Sequence, residues 1–214
     1  MKLLIVAATS TELKQVFEHF NLPQQNFIET AQFDVLITGV GMTATAFALG
    51  KHLTAKYNLV LNVGIAGSFD KNIPLGHLVN IVTDTFAELG AEDHYNFLTI
   101  DELGFGTNKF HATFTLTNLQ NESAITVNKV HGNMESIEKT IKKFNPTVES
   151  MEGAAVFYAC NELKIPCAQV RAISNYVEPR NRDNWQIGLA IKNLNDWVIG
   201  FINSAVYIEN TNLI

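Results

Sequence analysis

The segment Val148-Glu149-Ser150-Met151-Glu152-Gly153-Ala154-Ala155 predicts the end of a strand followed by the start of an alanine-rich helix. The helical pattern continues to Leu163, with apolar residues at helical spacing. A continuous apolar run from Ala168 to Ile173 then predicts a strand that is buried on both faces. Strand, helix and strand in this order predict an α/β layer fold with a substantially parallel sheet.

The N-terminal part of the chain shows the same alternation of short apolar runs and helical patterns. Further strands are predicted at Leu3 to Ala8, Asp34 to Val40, Leu59 to Ile65 and Leu78 to Val82. Helices are predicted at Thr11 to Phe20, Thr43 to Lys56 and about Asn184 to Val206. The more polar middle, from Phe86 to Asn133, is interpreted as strands, hairpins and loops rather than as a second domain. We therefore expect a single domain over residues 1–214.

Composition and charge exclude several classes of protein. Of the 214 residues, 47% are hydrophobic and 17% are charged, which allows a large core and rules out a disordered chain. The 15 basic and 21 acidic residues give a net charge of -6, which disfavours binding to nucleic acid or to anionic membranes. No apolar stretch approaches about 20 residues, so no transmembrane helix is expected. The 2 cysteines exclude a disulfide framework and fit the reducing cytoplasm.

The first residues, Met1 to Ala8, combine a lysine, a short apolar run and small residues, as a signal peptide does. The apolar run is short, and Glu12, Lys14 and Glu18 follow it at helical spacing. A first core strand that leads into a helix is therefore the favoured interpretation.

Two glycine-rich turns follow predicted strands. Gly39-Val40-Gly41-Met42-Thr43-Ala44 fits the loose pattern that places a pyrophosphate at a helix N-terminus in dinucleotide-binding folds. This turn does not follow the first strand, and the next strand, Leu59 to Val63, ends without the acidic residue that would bind a ribose hydroxyl. A dinucleotide-binding module therefore remains an alternative. In the second turn, Val63-Gly64-Ile65-Ala66-Gly67-Ser68, small residues let a planar ligand approach the backbone.

Charged and amide side chains gather where three predicted strands end. Glu12 follows the first strand, Glu152 follows Met151, and Arg171 and Asn175 belong to the end of a third strand. A carboxylate at such an edge can accept hydrogen bonds from the vicinal hydroxyls of a ribose, and Met151 can pack on a sugar face. A buried arginine requires an anionic partner. Because parallel strands end at one sheet edge, we expect these residues to converge on one site.

These segments resemble the nucleoside phosphorylase and nucleosidase superfamily over nearly the whole chain. Ser150-Met151-Glu152-Gly153-Ala154-Ala155, followed by Val170-Arg171-Ala172-Ile173-Ser174-Asn175, is similar to the branch that contains methylthioadenosine/S-adenosylhomocysteine nucleosidase. Ala8-Thr9-Ser10-Thr11-Glu12 matches the N-terminal element of that branch. Within the superfamily, Asn175 to Arg182 and Trp185-Gln186-Ile187 are most similar to the futalosine hydrolases. The resemblance implies one three-layer αβα domain with a central, twisted, mixed and largely parallel sheet.

The resemblance also implies a role for each candidate residue. Glu12 is expected to take a proton from the attacking water, Arg171 to orient both, and Glu152 to hold the ribose 2′- and 3′-hydroxyls. The other expected substrate contacts are Met151 at the sugar, Ile65, Ala66 and Gly67 on the pocket wall, Ser174 in support of Asn175, and Arg180 and Arg182, with Trp185, at the carboxylate of the 5′ substituent. A solvated loop of alternating charge is the alternative for both arginines. The resemblance implies a nucleoside substrate and a homodimer, and neither a metal nor another cofactor is expected.

Two departures from the superfamily pattern bear on the substrate and on the nucleophile. Adenine-cleaving nucleosidases carry aspartate where this chain has Asn175, and a carboxamide offers one donor and one acceptor to a 6-oxopurine. A turn residue is the alternative interpretation of Asn175. Phosphorylases carry arginine where this chain has Asn62, and the loss of that cation favours water over phosphate. We expect hydrolysis of a 6-oxopurine nucleoside; an adenine nucleosidase, a phosphorylase and a non-catalytic nucleotide-binding module remain the alternatives.

Overall fold

The computed structural model describes residues 2–211, with side chains described as far as residue 204. The strands are β1 (Leu3–Ala7), β2 (Phe27–Glu29), β3 (Phe33–Ile37), β4 (Leu59–Ser68), β5 (Leu78–Phe86), β6 (Gly90–Asp93), β7 (Asn96–Thr99), β8 (Lys109–His111), β9 (Gln120–Thr126), β10 (Val148–Ser150) and β11 (Cys167–Tyr176). The helices are α1 (Lys14–His19), α2 (Met42–His52), α3 (Met134–Phe144), α4 (Gly153–Leu163) and α5 (Ile187–Thr211), and short 3-10 helices span Ser10–Leu13 and Arg182–Asn184.

A mixed sheet of 9 strands forms the middle of the molecule, in the order β10-β9-β5-β11-β4-β1-β3-β2, with β8 paired to β5. The pairs β1–β3, β1–β4, β4–β11, β5–β9 and β9–β10 are parallel. The pairs β2–β3, β5–β8, β5–β11 and β4–β10 are antiparallel. Because β10 pairs with both β9 and β4, the strands β10, β9, β5, β11 and β4 close into a ring. The expected mixed sheet is confirmed.

Helices cover both faces of the sheet, as the three-layer prediction requires. On one face, Val16 of α1 and Leu194 of α5 pack with Val63 of β4 in one apolar cluster. On the other face, Leu49 of α2 and Phe157 of α4 pack in a second cluster with residues of β1, β4 and β5. All residues of β1 are buried, because a central parallel strand is covered on both sides.

The structure differs from the sequence prediction mainly where polar residues continue a regular element. β4, β5 and β11 run beyond the predicted apolar segments, because Ser68, Asn175 and other polar residues keep the strand conformation and pairing. Helix α3 was not predicted, since Ile137 is its buried residue and most of the helix is polar. Asn133 accepts hydrogen bonds from the first turn of α3, and Asn145 ends the helix in the left-handed conformation.

The predicted domain over 1–214 includes Met1 and residues 212–214, which lie outside the described residues. Along the described part of the chain, no helix has both the length and the apolar composition that a membrane crossing requires.

Candidate active site

A cavity of about 400 Å³ lies at the carboxyl ends of the central strands, beneath the start of α5. The predicted residues on its wall are Glu12, Ile65, Ala66, Gly67, Met151, Glu152, Ser174, Asn175 and Arg180. Trp185, expected beside the two arginines, is also on the wall. The residues that were not predicted are Ala8, Thr9, Thr11, Val40, Val130, His131, Glu149, Ser150, Ile187 and Ile191. The edge of a parallel sheet therefore gathers the expected constellation, as α/β folds commonly do.

Glu12 is held by backbone and side-chain donors at the end of β1. Its Oε1 accepts a hydrogen bond from the backbone N–H of Ile65 at 3.1 Å, and its Oε2 accepts one from the N–H of Thr9 at 3.0 Å. Thr9 and Glu12 form a reciprocal capping box at the start of the 3-10 helix Ser10–Leu13. The carboxylate is therefore fixed at the cavity wall before any ligand binds.

Burial raises the pKa of Glu12 above its ordinary value of 4.5. The positive charge of Arg171 and the N–H donors of Ile65 and Thr9 act in the opposite direction, and the negative charge of Glu152 raises the pKa further. A carboxylate with a raised pKa is a stronger base than an ordinary one, provided that it is ionised at the working pH.

Arg171 lies behind the cavity wall rather than on it. It is 1% exposed, and its Nη2 donates to Oδ1 of Asn62 at 2.7 Å, while its Nη1 lies 3.9 Å from Oε2 of Glu152. Gly64 makes room for it, since a Cβ there would lie 2.2 Å from Nη1 of Arg171 and 2.8 Å from Oε1 of Glu12. The expected anionic partners are present, but Arg171 acts on the site through Glu12 and Glu152.

Asn62, the position at which phosphorylases carry arginine, is also buried. Its Oδ1 accepts from Arg171, and its Nδ2 donates to the carbonyl oxygen of Val6 at 3.1 Å. Both ends of the amide are therefore occupied inside the protein. Of the described residues on the cavity wall, Arg180 is the one lysine or arginine.

Glu152 lies at the N-cap of α4, but its carboxylate accepts no hydrogen bond from its own helix. Oε1 accepts instead from the backbone N–H of Gly41 at 3.0 Å, in the first glycine-rich turn. Gly41 has φ 93°, which an L side chain rarely adopts. The N–H that a dinucleotide fold would offer to a pyrophosphate is thus directed at a carboxylate. The first turn of α4 is satisfied elsewhere, because the N–H of Ala154 donates to Thr126 Oγ1 at 2.8 Å.

Asn175 and Ser174 line the cavity near the end of β11. Ser174 Oγ donates to Oδ1 of Asn175 at 2.8 Å, and Nδ2 of Asn175 donates to the carbonyl oxygen of Tyr176 at 3.1 Å. These contacts fix which way the amide points. Gly67 lies directly beside it, since a Cβ on Gly67 would approach Nδ2 of Asn175 to 3.1 Å. Asn175 and Val177 fill the space that a side chain at Gly67 would take, so the amide packs directly against the backbone of β4.

The two arginines of the loop after β11 differ in position. Arg180 lines the cavity, and its N–H donates to the carbonyl oxygen of Gly132 at 3.2 Å. Arg182 is exposed and is not on the cavity wall. Both guanidinium groups lie over the ring of Trp185, at 5.1 and 5.7 Å from its centre, as in cation–π pairs. A direct contact of Arg182 with a ligand in this cavity is therefore not part of the observed arrangement.

Glu149 and His131 are cavity residues that sequence analysis missed. Glu149 is 4% exposed, and both of its oxygens accept hydrogen bonds from His131, one from the backbone N–H at 2.9 Å and one from Nδ1. A charged residue inside the buried segment Val148–Ser150 was a usable signal for Glu149. His131 follows β9 in an irregular segment, and no pattern in the sequence pointed to it.

A second buried carboxylate, Asp84, lies behind the start of α4. Gln169 Nε2 and Thr126 Oγ1 each donate to it at 2.9 Å. Burial raises the pKa of Asp84 to about 6, against the opposing effect of these donors and of Arg171. Within residues 2–204, whose side chains the structure describes, no three His, Cys, Asp or Glu residues are grouped closely enough to hold a metal ion.

The chain matches a known protein family over nearly its whole length. A model of the phosphorylase superfamily matches residues 2–202, and the chain belongs to this superfamily. More particularly, the chain is similar to curated futalosine hydrolases. It is 32% identical to that of Streptomyces coelicolor over 92% of this chain and 94% of the relative, and 27% identical to that of Thermus thermophilus over 76% and 77%.

Solved structures show the same fold. Futalosine hydrolase of Helicobacter pylori matches with a TM-score of 0.80 at 15% identity, over 95% of this chain and 98% of that chain. A methylthioadenosine/S-adenosylhomocysteine nucleosidase of the same organism matches with the same TM-score, identity and coverage. These two likenesses establish the architecture and do not distinguish the substrates.

Proposed function

We propose that the protein hydrolyses the N-glycosidic bond of futalosine and releases hypoxanthine. The observation that carries this proposal is one cavity that holds two buried carboxylates, Glu12 and Glu152, and the oriented amide of Asn175. The curated relatives named futalosine hydrolase support the same substrate.

The two carboxylates act on the sugar. As the bond from C1′ to N9 breaks, positive charge grows on the ribose, and the fixed negative charges of Glu12 and Glu152 stabilise it. Glu12 takes a proton from the attacking water, and its raised pKa suits it to this role. Glu152 accepts hydrogen bonds from the 2′- and 3′-hydroxyls, beside Met151. Arg171 positions both carboxylates from behind the wall.

Asn175 acts on the base. Its Nδ2 donates to O6 of hypoxanthine, and its Oδ1 accepts from N7 once that atom gains a proton in the transition state. An amide is not a general acid, so the proton for the leaving base comes from water. Ser174 holds the amide by its hydrogen bond to Oδ1. Ile65, Ala66 and Gly67 provide the surface on which the nucleoside lies.

Water is the nucleophile in this proposal. An attacking phosphate requires a cation near the sugar, usually a bidentate arginine. Asn62 stands at that position and is engaged with Arg171 and Val6. The wall residue Arg180 lies beside Gly132, and we assign it to the carboxylate of the 5′ acylbenzoate, with Trp185 and Arg182 supporting it.

We also propose the pathway, the compartment and the oligomeric state in which the enzyme acts. Futalosine cleavage belongs to an alternative bacterial route to menaquinone, and we place the enzyme in the cytoplasm as a homodimer. Exposed apolar side chains such as Phe47, Tyr95 and Phe105, which are 76%, 101% and 79% exposed, support association with a second copy. Size-exclusion chromatography with light scattering tests the dimer, and a monomeric mass would contradict it.

Chromatographic detection of the released base tests the reaction. The purified protein is incubated with futalosine, inosine and methylthioadenosine, each with and without phosphate. We expect hypoxanthine from futalosine at a rate that phosphate does not change. Adenine from methylthioadenosine as the main product would favour the adenine nucleosidase instead, and phosphate-dependent release would favour a phosphorylase. No release from any substrate would leave a non-catalytic binding module.

A further inference from the structure

The cavity holds a buried carboxylate that the mechanism above does not use. Glu149 of β10 lies directly opposite Gly67 of β4 in the antiparallel pair, and Asn175 of β11 lies opposite the same glycine on the other side. Residues opposite each other in a ladder point to the same face of the sheet. Glu149 and Asn175 therefore flank Gly67 on one face of the sheet. Their Cα atoms lie about 10 Å apart, two strand spacings.

The carboxylate of Glu149 has acceptor capacity to spare. An ionised carboxylate offers about four acceptor positions. Within the described residues, its hydrogen bonds are the two from the N–H and Nδ1 of His131. The group lines the cavity and is nonetheless 4% exposed, so that a polar partner from a ligand would satisfy it better than solvent can.

His131 holds this carboxylate in place rather than contacting the ligand with its ring nitrogens. Nδ1 donates to Glu149, and Nε2 lies 2.8 Å from Oγ1 of Thr140, which donates to it in the matching tautomer. Both nitrogens are thus used inside the protein. The ring of Phe69 packs near the imidazole, with 6.4 Å between ring centres.

We propose that Glu149, positioned by His131, is the residue that selects a 6-oxopurine, by accepting the N1–H of the base while Asn175 binds O6 and N7. This inference rests on the proposed function and names its specificity determinant. A 6-oxopurine carries a proton on N1, and a carboxylate is the acceptor that suits it. Adenine has a lone pair at N1, so the same carboxylate repels it and is left without a partner in a desolvated site. Such a mismatch is strongly disfavoured.

The test is the binding of free bases, measured by isothermal titration calorimetry with hypoxanthine, 1-methylhypoxanthine and adenine. Methylation at N1 removes the proton that Glu149 is proposed to accept. We expect the wild-type protein to prefer hypoxanthine, and Glu149→Gln to weaken hypoxanthine binding by about 10- to 100-fold, the worth of one charge-assisted hydrogen bond. Adenine binding should stay equal or become stronger, because an amide can donate to its N1.

A matched control distinguishes recognition of the base from anchoring of the segment that carries Asn128 and His131. Glu88 accepts hydrogen bonds from the N–H and Nδ2 of Asn128 at 2.7 and 2.9 Å, and so anchors the same segment from outside the cavity. Glu88→Gln should leave the preference among the bases unchanged. His131→Leu should reduce the preference, and His131→Asn should restore it, because its amide N–H can replace the Nδ1 donor.

The outcomes distinguish this inference from the function on which it rests. Equal loss of all three bases in Glu149→Gln, or a wild-type protein that does not prefer hypoxanthine, would overturn the inference even if futalosine is cleaved. A wild-type protein that prefers hypoxanthine but does not cleave futalosine would overturn the proposed function, and the loss of that preference in Glu149→Gln would still support the role of Glu149.

Discussion

The backbone N–H of Ile65 donates a hydrogen bond to Oε1 of Glu12 at 3.1 Å, which ties the end of β1 to the neighbouring strand β4. Oε1 of Glu12 and Nη1 of Arg171 both occupy the space that a side chain at Gly64 would fill. The proposed general base, Glu12, is therefore held by a strand amide and a capping threonine, and the positive charge of buried Arg171 favours its ionised form.

Glu12→Gln should lower kcat for futalosine by about 10²- to 10⁴-fold, the usual effect of removing a general base. The amide is close in shape to the carboxylate, so KM and the unfolding midpoint should change little. Glu18→Gln, an exposed carboxylate on α1, is the control and should be neutral. Full turnover by Glu12→Gln would show that another group activates the water.

The acid limb of the pH profile should reflect the raised pKa of Glu12. The base must be ionised, so kcat/KM should fall as the pH decreases through a value above the ordinary 4.5. Arg171 lowers this pKa, so Arg171→Gln should move the acid limb to higher pH, whereas Arg171→Lys should keep it nearer to the wild-type position. Identical limbs in all three proteins would exclude the assignment to Glu12.

Gly64→Ala should reduce kcat/KM by about 10²-fold, because a shift of about 1 Å in reacting groups can have that effect. The added Cβ would stand 2.2 Å from Arg171 Nη1, so that Arg171 and Glu12 must both shift. Gly50→Ala in α2 is the matched control, since its Cβ meets nothing within 4 Å. It should leave the rate unchanged and raise stability by about 0.5–1 kcal/mol. Equal activity of the two variants would mean that Gly64 provides no necessary space.

Asp84→Asn should change how stability depends on pH. The folded pKa of Asp84, about 6, lies above its ordinary value of 3.8, so the stability that this group contributes is present below 3.8 and is lost as the pH rises through about 6. The loss amounts to about 3 kcal/mol. Gln169 can accept from the new amide, since its Oε1 has no hydrogen-bond partner. Urea unfolding between about pH 4 and about pH 7 should show the wild type losing most of this stability relative to the variant, and parallel curves would refute the assignment.

The sequence predicted the layers of the fold because its central strands are apolar on both faces and its helices are periodic. It also predicted that Glu12, Glu152 and Asn175 lie at one edge of the sheet, because parallel strands end at the same edge, and all three line one cavity. The position of Arg171 relative to the cavity could not be predicted in this way. It lies inside β11 and not at its end, and its distance from the cavity depends on Asn62 and Gly64 in the next strand.

Other features depend on contacts between segments that are distant in the chain. The hydrogen bond from Gly41 to Glu152 joins residues 111 positions apart, and no local pattern signals it. His131 and Glu149 meet because β10 pairs with β9, and hydrophobic periodicity does not encode which strands pair. Helix α3 was missed because a mostly solvated helix carries a weak apolar pattern.

The ratio of kcat/KM for futalosine to that for methylthioadenosine, measured in phosphate-free buffer, shows which purine base the cavity selects. Two carboxylates at the sugar and an oriented amide at the base predict that futalosine is preferred by at least about 10²-fold, because an adenine base leaves buried polar groups mismatched. A ratio at or below one would contradict the account, since the cavity would then recognise adenine in spite of Asn175.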